Sequence, residues 1–166
     1  MILTPENLSL RTLKMLDTTK MKYKLIQHSN EGRCEEVSLI RGHDPSEAIK
    51  AILVTIKKSQ KNKDRVLALL PGNAFIDFDK LKILFNARSA GMSSPMEVES
   101  FLESEPGRVP PFSFNPNVQV IIDKKLVNNQ NVYFSAGKTD ESIKMDTKDF
   151  VTISLERGAK ILTFTS

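Results

Sequence analysis

The chain has 166 residues, of which 40% are hydrophobic and 27% charged, with a formal net charge of +4. These proportions suit one domain, 1–166, with one buried core, and they exclude a disordered or low-complexity chain. A charge of +4 permits attraction to phosphate without demonstrating it, while the single cysteine, Cys34, rules out an internal disulfide, so a reducing cytoplasm is the expected setting.

Met1 to Lys20 is interrupted by Glu6, Arg11, Lys14 and Asp17, which is unlike a signal peptide. No other stretch approaches the roughly 20 apolar residues of a membrane helix, so no membrane partner is expected. In chain order, Leu8, Leu10, Leu13, Met15 and Leu16 outline the face of a first helix, with Thr4 as its cap and Pro5 in its first turn. Met21 to His28 alternates apolar and polar side chains, the period of a strand with one wet face, and Ser29 to Gly32 makes a turn. Asp44-Pro45-Ser46-Glu47 is a helix start that can run only briefly, because the apolar stretch Ala51 to Ile56 follows as a strand.

Val66 to Leu70 forms the partner of that strand, the two joined as a hairpin through the hydrophilic run Lys57 to Arg65. Pro71-Gly72-Asn73 breaks the second strand, and Asp77 to Phe85 then has helical spacing, with Leu81, Leu84 and Phe85 on one side. Ser94-Pro95-Met96-Glu97 carries the capping-box pattern for a helix ending near Glu103. Glu105 to Phe112 holds three prolines and a glycine and is expected as a stiff loop. Strands over Val118–Ile122, Val132–Ser135 and Ser142–Met145 follow, then a last helix from Asp146 to Leu155 with an acidic cap. The intermixed elements predict an α+β fold.

The chemistry is narrowed by what these residues cannot assemble. His28, His43 and Cys34 are the only histidines and cysteine, too few for the usual zinc site, and no metal or cofactor is expected. The glycines are scattered and match neither a P-loop nor a dinucleotide fingerprint. Cys34 sits in a polar stretch with Arg33, Glu35 and Glu36 that suits a turn better than a nucleophile, and each histidine fits an ordinary hydrogen-bonded surface role. Lys57, Lys58, Lys61, Lys63 and Arg65 could reach phosphate from the hairpin loop or simply be solvated there. Lys50 differs, because it stands where a short helix meets an apolar strand and can place its ammonium in a cleft or snorkel to water. The loop Gly107 to Pro111 is either a turn closing the preceding helix or a rigid wall offering backbone amides to an oxyanion.

Taken in order, the blocks from Asp44 to Val54, Val66 to Gly72, Ala90 to Val98, Glu105 to Phe112, Val120 to Asp123 and Val132 to Gly137 resemble the YbaK family, the prolyl-tRNA synthetase-associated or editing-insertion domains. The resemblance runs from about Tyr23 to Leu155. It implies a compact, mixed, largely antiparallel, barrel-like sheet with flanking helices, and hydrolysis of the ester of a mischarged tRNA whose 3′ end enters a cleft. Lys50 and Gly107 correspond to the catalytic positions. Arg108, Val109, Pro110, Pro111, Ser135 and Gly137 correspond to the substrate-binding ones, with Gly107 and Pro111 ending the Gly-x-x-x-Pro loop.

The family setting implies the tRNA(Pro) system, with cysteine or alanine as the leading misplaced amino acids and prolyl-tRNA synthetase as a possible partner. Water attacks an ester that is already activated, so no protein nucleophile is required. Two positions depart from the pattern. Arg108 stands where many relatives carry a second glycine, and Lys138 to Ser142 lacks a histidine that some alanine-specific relatives carry, which leaves the amino acid open. A silent module that binds a tRNA end or a synthetase without turnover is the alternative.

Overall fold

A computed structural model describes residues 5–28, 42–138 and 140–166. The expected cap at Thr4, the turn at Ser29–Gly32 and the surroundings of Cys34 lie outside the described residues.

Helix α1 (Pro5–Thr18) buries Leu8, Ser9, Thr12 and Leu16 but leaves Leu10 exposed. At about 100° per residue, Leu10 lies roughly 200° from Leu8, whereas positions 8, 12 and 16 stay on one side. The inward hydroxyls are satisfied: Thr12 donates to the Leu8 carbonyl at 2.9 Å, and Ser9 to Glu141 at 3.4 Å. Strand β1 (Tyr23–Gln27) follows, and Tyr23 is clasped to Asp17 by a 2.6 Å hydrogen bond. A single 3-10 turn at Pro45–Glu47, closed by a complete Asp44–Glu47 capping box, leads into β2 (Ile49–Lys57).

Strand β3 (Lys63–Pro71) pairs with β2 along its whole length, giving the expected hairpin. Helix α2 (Phe78–Leu84), capped by Asp77, turns Leu81 inward and leaves Leu84 exposed. A short strand β4 (Ser89–Met92) adds to the edge of β2 and leads to α3 (Pro95–Leu102), where Ser94 and Glu97 form the capping box and Glu103 ends the helix in the left-handed region at φ 55°. The remaining elements are β5 (Val118–Asp123), α4 (Lys124–Val127), β6 (Asn131–Ser135), β7 (Glu141–Asp146), α5 (Thr147–Glu156) and β8 (Lys160–Leu162). Strands β4 and β8 are too short to stand out by alternation.

The fold is α+β with two sheets. One has the order β1-β7-β6 and is antiparallel; the other has the order β4-β2-β3-β5-β8, in which β5 runs parallel to both β3 and β8. A parallel bridge between Ala48 and Tyr133 joins them, and no closed barrel forms among the described residues. The barrel-like expectation is corrected accordingly: β2 pairs with β6 only at this bridge.

Strand β3 is apolar at consecutive positions because helices or strands cover both of its faces. Leu67 and Leu69 face a first core with Ile49, Leu53 and Ile122, the inward residues of the other sheet, and an aromatic cluster of Phe112, Phe134 and Phe150 at centroid distances of 5.5–5.8 Å. Val66, Ala68 and Leu70 face a second core with Val54, Ile56, Leu81 and Phe164. Asp123, fully buried, holds the end of the chain against this layer by accepting from the amides of Lys125, Phe164 and Thr165, each at 3.0 Å. No helix of the described residues is long and apolar enough to cross a membrane.

Candidate active site at the seam of the two sheets

Lys50 is the second residue of β2, directly after the turn that Asp44 and Pro45 initiate. Its alternation partners Ile52, Val54 and Ile56 belong to the second core, so Lys50 emerges on that outer face, while Ile49 and Leu53 point to the first core. The ammonium is held in place: Nζ donates to the Ala74 carbonyl at 2.6 Å and lies 5.0 Å from the centre of the Phe75 ring. The residue is half-buried, its ammonium held by the protein.

The Ala48–Tyr133 bridge relates Lys50 to the other sheet. Residues paired in a sheet direct their side chains to the same face, and the period of two repeats that direction at Lys50 and at Ser135, each two positions beyond the bridge. Ile49 and Phe134, between them, both point to the first core. Lys50 and Ser135 therefore flank one seam on one face. Tyr133 shares that face, stacked by His43 at a centroid distance of 3.6 Å and a 10° interplanar angle. Ser142 pairs with Ser135 across β6 and β7, and the ring of His28 lies 2.7 Å from its hydroxyl. Both histidines are thus hydrogen-bonded, as expected, His43 through Nδ1 and the Asp44 carbonyl at 2.8 Å.

Ser135 connects the seam to the stiff loop. Its hydroxyl stands 2.9 Å from the Lys138 carbonyl and 3.4 Å from that of Arg108, and accepts from the Gly137 amide at 3.2 Å. Gly107 is exposed at φ 92°, a left-handed conformation that favours glycine. Val109, Pro110, Pro111 and Phe112 are buried, with Val109 and Phe112 in the first core, so the loop is anchored by its second half and presents its first half to solvent. Gly137, at φ 115°, comes so close to α1 that a Cβ there would lie 3.2 Å from the Ser9 nitrogen. Arg108, Ser135 and Gly137 are thereby brought together. The Lys50 ammonium is bound to Ala74 and Phe75 instead.

The guanidinium of Arg108 pairs with Glu105 at 3.0 Å, which ties it to its own loop. At the far end of β2 the charges divide. Arg65 is bound to Glu97 at 2.9 Å and stacks over Phe101, and its hydrogen bond holds the Glu97 carboxyl below the ordinary carboxylate range. Lys57, Lys58, Lys61 and Lys63 are exposed, with a loose Lys58–Asp64 pair at 3.8 Å. Among the described residues no group of three or more His, Cys, Asp or Glu could hold a metal ion.

Phe75, Ala74 and Asn129 escaped the sequence reading. The exposed Phe75 followed a chain-breaking Pro-Gly-Asn and carried no periodic signal, and its place beside Lys50 follows only from how β3 ends.

The family model for the aminoacyl-tRNA editing domain matches residues 28–153. The chain belongs to this family. It is an aminoacyl-tRNA editing domain of the deacylase class, as its ordered motifs implied. It is 30% identical over 145 residues to the multifunctional Ser/Thr-tRNA deacylase ProXp-y of Escherichia coli (strain K12), covering 87% of this chain and 86% of that protein. It is 26% identical over 106 residues to a proline–tRNA ligase of Aquifex aeolicus (strain VF5), covering 64% of this chain and 18% of the ligase. Among solved structures, one described as a candidate trans-editing enzyme for prolyl tRNA synthetase aligns with a TM-score of 0.79 at 19% identity, covering 99% of both chains, and supports the fold.

Proposed function

We propose that this editing domain hydrolyses mischarged tRNA in trans, in the cytoplasm, with the acyl-adenosine end lying across the seam between β2 and β6. The observation that carries the reading is the emergence of Lys50 and Ser135 on one face, two residues beyond the same inter-sheet bridge. In this arrangement Lys50 exchanges its Ala74 carbonyl for the substrate and anchors the terminal nucleotide. The Gly107 amide supports the negative charge that develops on the carbonyl oxygen. Arg108, Ser135 and Gly137 shape the acyl pocket, and the buried Val109, Pro110 and Pro111 keep the loop from moving. Water is the nucleophile, organised by a ribose hydroxyl of the tRNA.

Serine and threonine are the leading amino acids, because the E. coli relative is named for them and the neighbouring face offers the hydroxyl of Ser142 and the ring of His28, 2.7 Å apart. A site built to hydrogen-bond a hydroxyl discriminates strongly against an analogue lacking it. The tRNA(Pro) system with cysteine or alanine, and association with prolyl-tRNA synthetase, form the second reading, favoured by the similarity to a proline–tRNA ligase.

A panel of seryl-, threonyl-, cysteinyl- and alanyl-tRNAs tests both. The expected outcome is rapid release of serine and threonine that is lost in Lys50→Ala. Binding of every substrate without turnover would establish the silent module instead.

A further inference from the structure

Resting on that reading, we propose that Phe75 is a stacking platform for the unpaired nucleotides that lead to the acylated end of the tRNA. Phe75 is 71% exposed, while its neighbours Ala74 and Ile76 pack against the second core. A single exposed ring is ordinary on a protein surface. This one is fixed at both ends. Its carbonyl accepts from the Ser166 amide at 3.1 Å, Ile76 bridges Thr165, and the Ala74 amide donates to Pro71 at 2.9 Å. The Thr165 amide is in turn gripped by buried Asp123, so the backbone beneath the ring is held by a carboxylate inside the protein.

The ring also stands at the rim of a cavity of about 340 Å³, lined by Ser46, Asn73, Ala74, Lys125, Asn129 and Ser166, where the Lys125 ammonium donates to the Ser166 backbone oxygen at 2.8 Å. Lys50, whose ammonium lies 5.0 Å from the ring centre, borders the same place. Asn129 is oriented by donating to the Ser46 carbonyl at 2.7 Å. A flat apolar face with two ammonium groups and two side-chain amides beside it matches a nucleobase on a phosphodiester. A strand whose terminal adenosine is at Lys50 has its preceding bases within reach of this ring, and aromatic stacking accepts any base.

Deacylation kinetics and tRNA binding test this together. Phe75→Ala should raise KM about 5- to 100-fold with kcat unchanged, Phe75→Tyr should restore it, and Ile83→Ala, another exposed apolar residue, should have no effect. Uncharged tRNA with an intact 3′ end should bind the wild-type protein more tightly than the same tRNA lacking its three terminal nucleotides, and Phe75→Ala should lose that preference. An unchanged KM and an unchanged preference in Phe75→Ala would overturn the proposal, as would a wild-type protein that does not distinguish intact from trimmed tRNA. A wild-type protein that hydrolyses no mischarged tRNA would defeat the deacylase reading alone, because the binding comparison still decides the role of Phe75.

Discussion

The two ends of β2 carry lysines of opposite character. At its start, two residues after the bridge between the sheets, Lys50 is bound to a carbonyl and covered by an aromatic ring. Seven residues later, roughly 23 Å along the strand at about 3.3 Å per residue, Lys57 opens a hairpin whose lysines extend into water. The same functional group can thus be a positioned charge or a diffuse one, and restraint by neighbours makes the difference. Between them, Arg65 shows a third use, committed to Glu97 and Phe101 inside the fold.

The largest effect should come from the restrained end. Lys50→Ala is expected to lower kcat/KM by about 100-fold or more in single-turnover deacylation, since misplacing a reacting group by about 1 Å costs this much. A near-wild-type rate would erase the distinction between the two ends. Asp123→Ala removes the acceptor of two buried amides and one part-buried amide and should destabilise the protein by about 3 kcal/mol in chemical denaturation, loosening the segment under Phe75. Gly137→Ala combines a φ of 115° with a 3.2 Å approach to the Ser9 nitrogen and should cost about 1–3 kcal/mol, together with activity.

The solvated end should respond more mildly. Replacing Lys57 and Lys63 together by alanine should raise KM only a few-fold, with an effect that fades as salt rises, because exposed charges act through a screened field. An equal loss at all salt concentrations would contradict a diffuse role. The smallest effect belongs to the Arg65–Glu97 bridge, worth about 0.5–1 kcal/mol at its partial exposure. The Glu97 carboxyl is held below its ordinary value of 4.5, so the bridge contributes fully above that pH and is lost as acid titrates the carboxyl through its lowered value in the folded protein. Thermal melts of wild type and Arg65→Met should therefore converge on acidification and differ at neutral pH.

Much of this was legible in the sequence where a local rule governs. The cap at Asp44, the capping box at Ser94, the β2–β3 hairpin and the stiff loop at Gly107 follow from side chains within a few residues of one another. Leu10 and Leu84 were misplaced because apolar character alone does not say which side of a helix is covered. The seam was not visible at all: a lone bridge between positions 48 and 133 leaves no periodic trace, and Lys50 and Ser135 each lie two residues beyond it. Thr12 and Ser9 are the reverse case, polar residues that fill the inward stripe because the hydroxyls find acceptors there.

A crystal structure with a hydrolysis-resistant analogue, adenosine carrying serine through a 3′-amide, addresses the shared site directly. The expected complex has the Lys50 ammonium and the Gly107 amide both within about 3.2 Å of the analogue's polar atoms, with the acyl group facing Ser135. An analogue seated away from the seam, or touching one of the two groups while the other remains in solvent, would contradict the account.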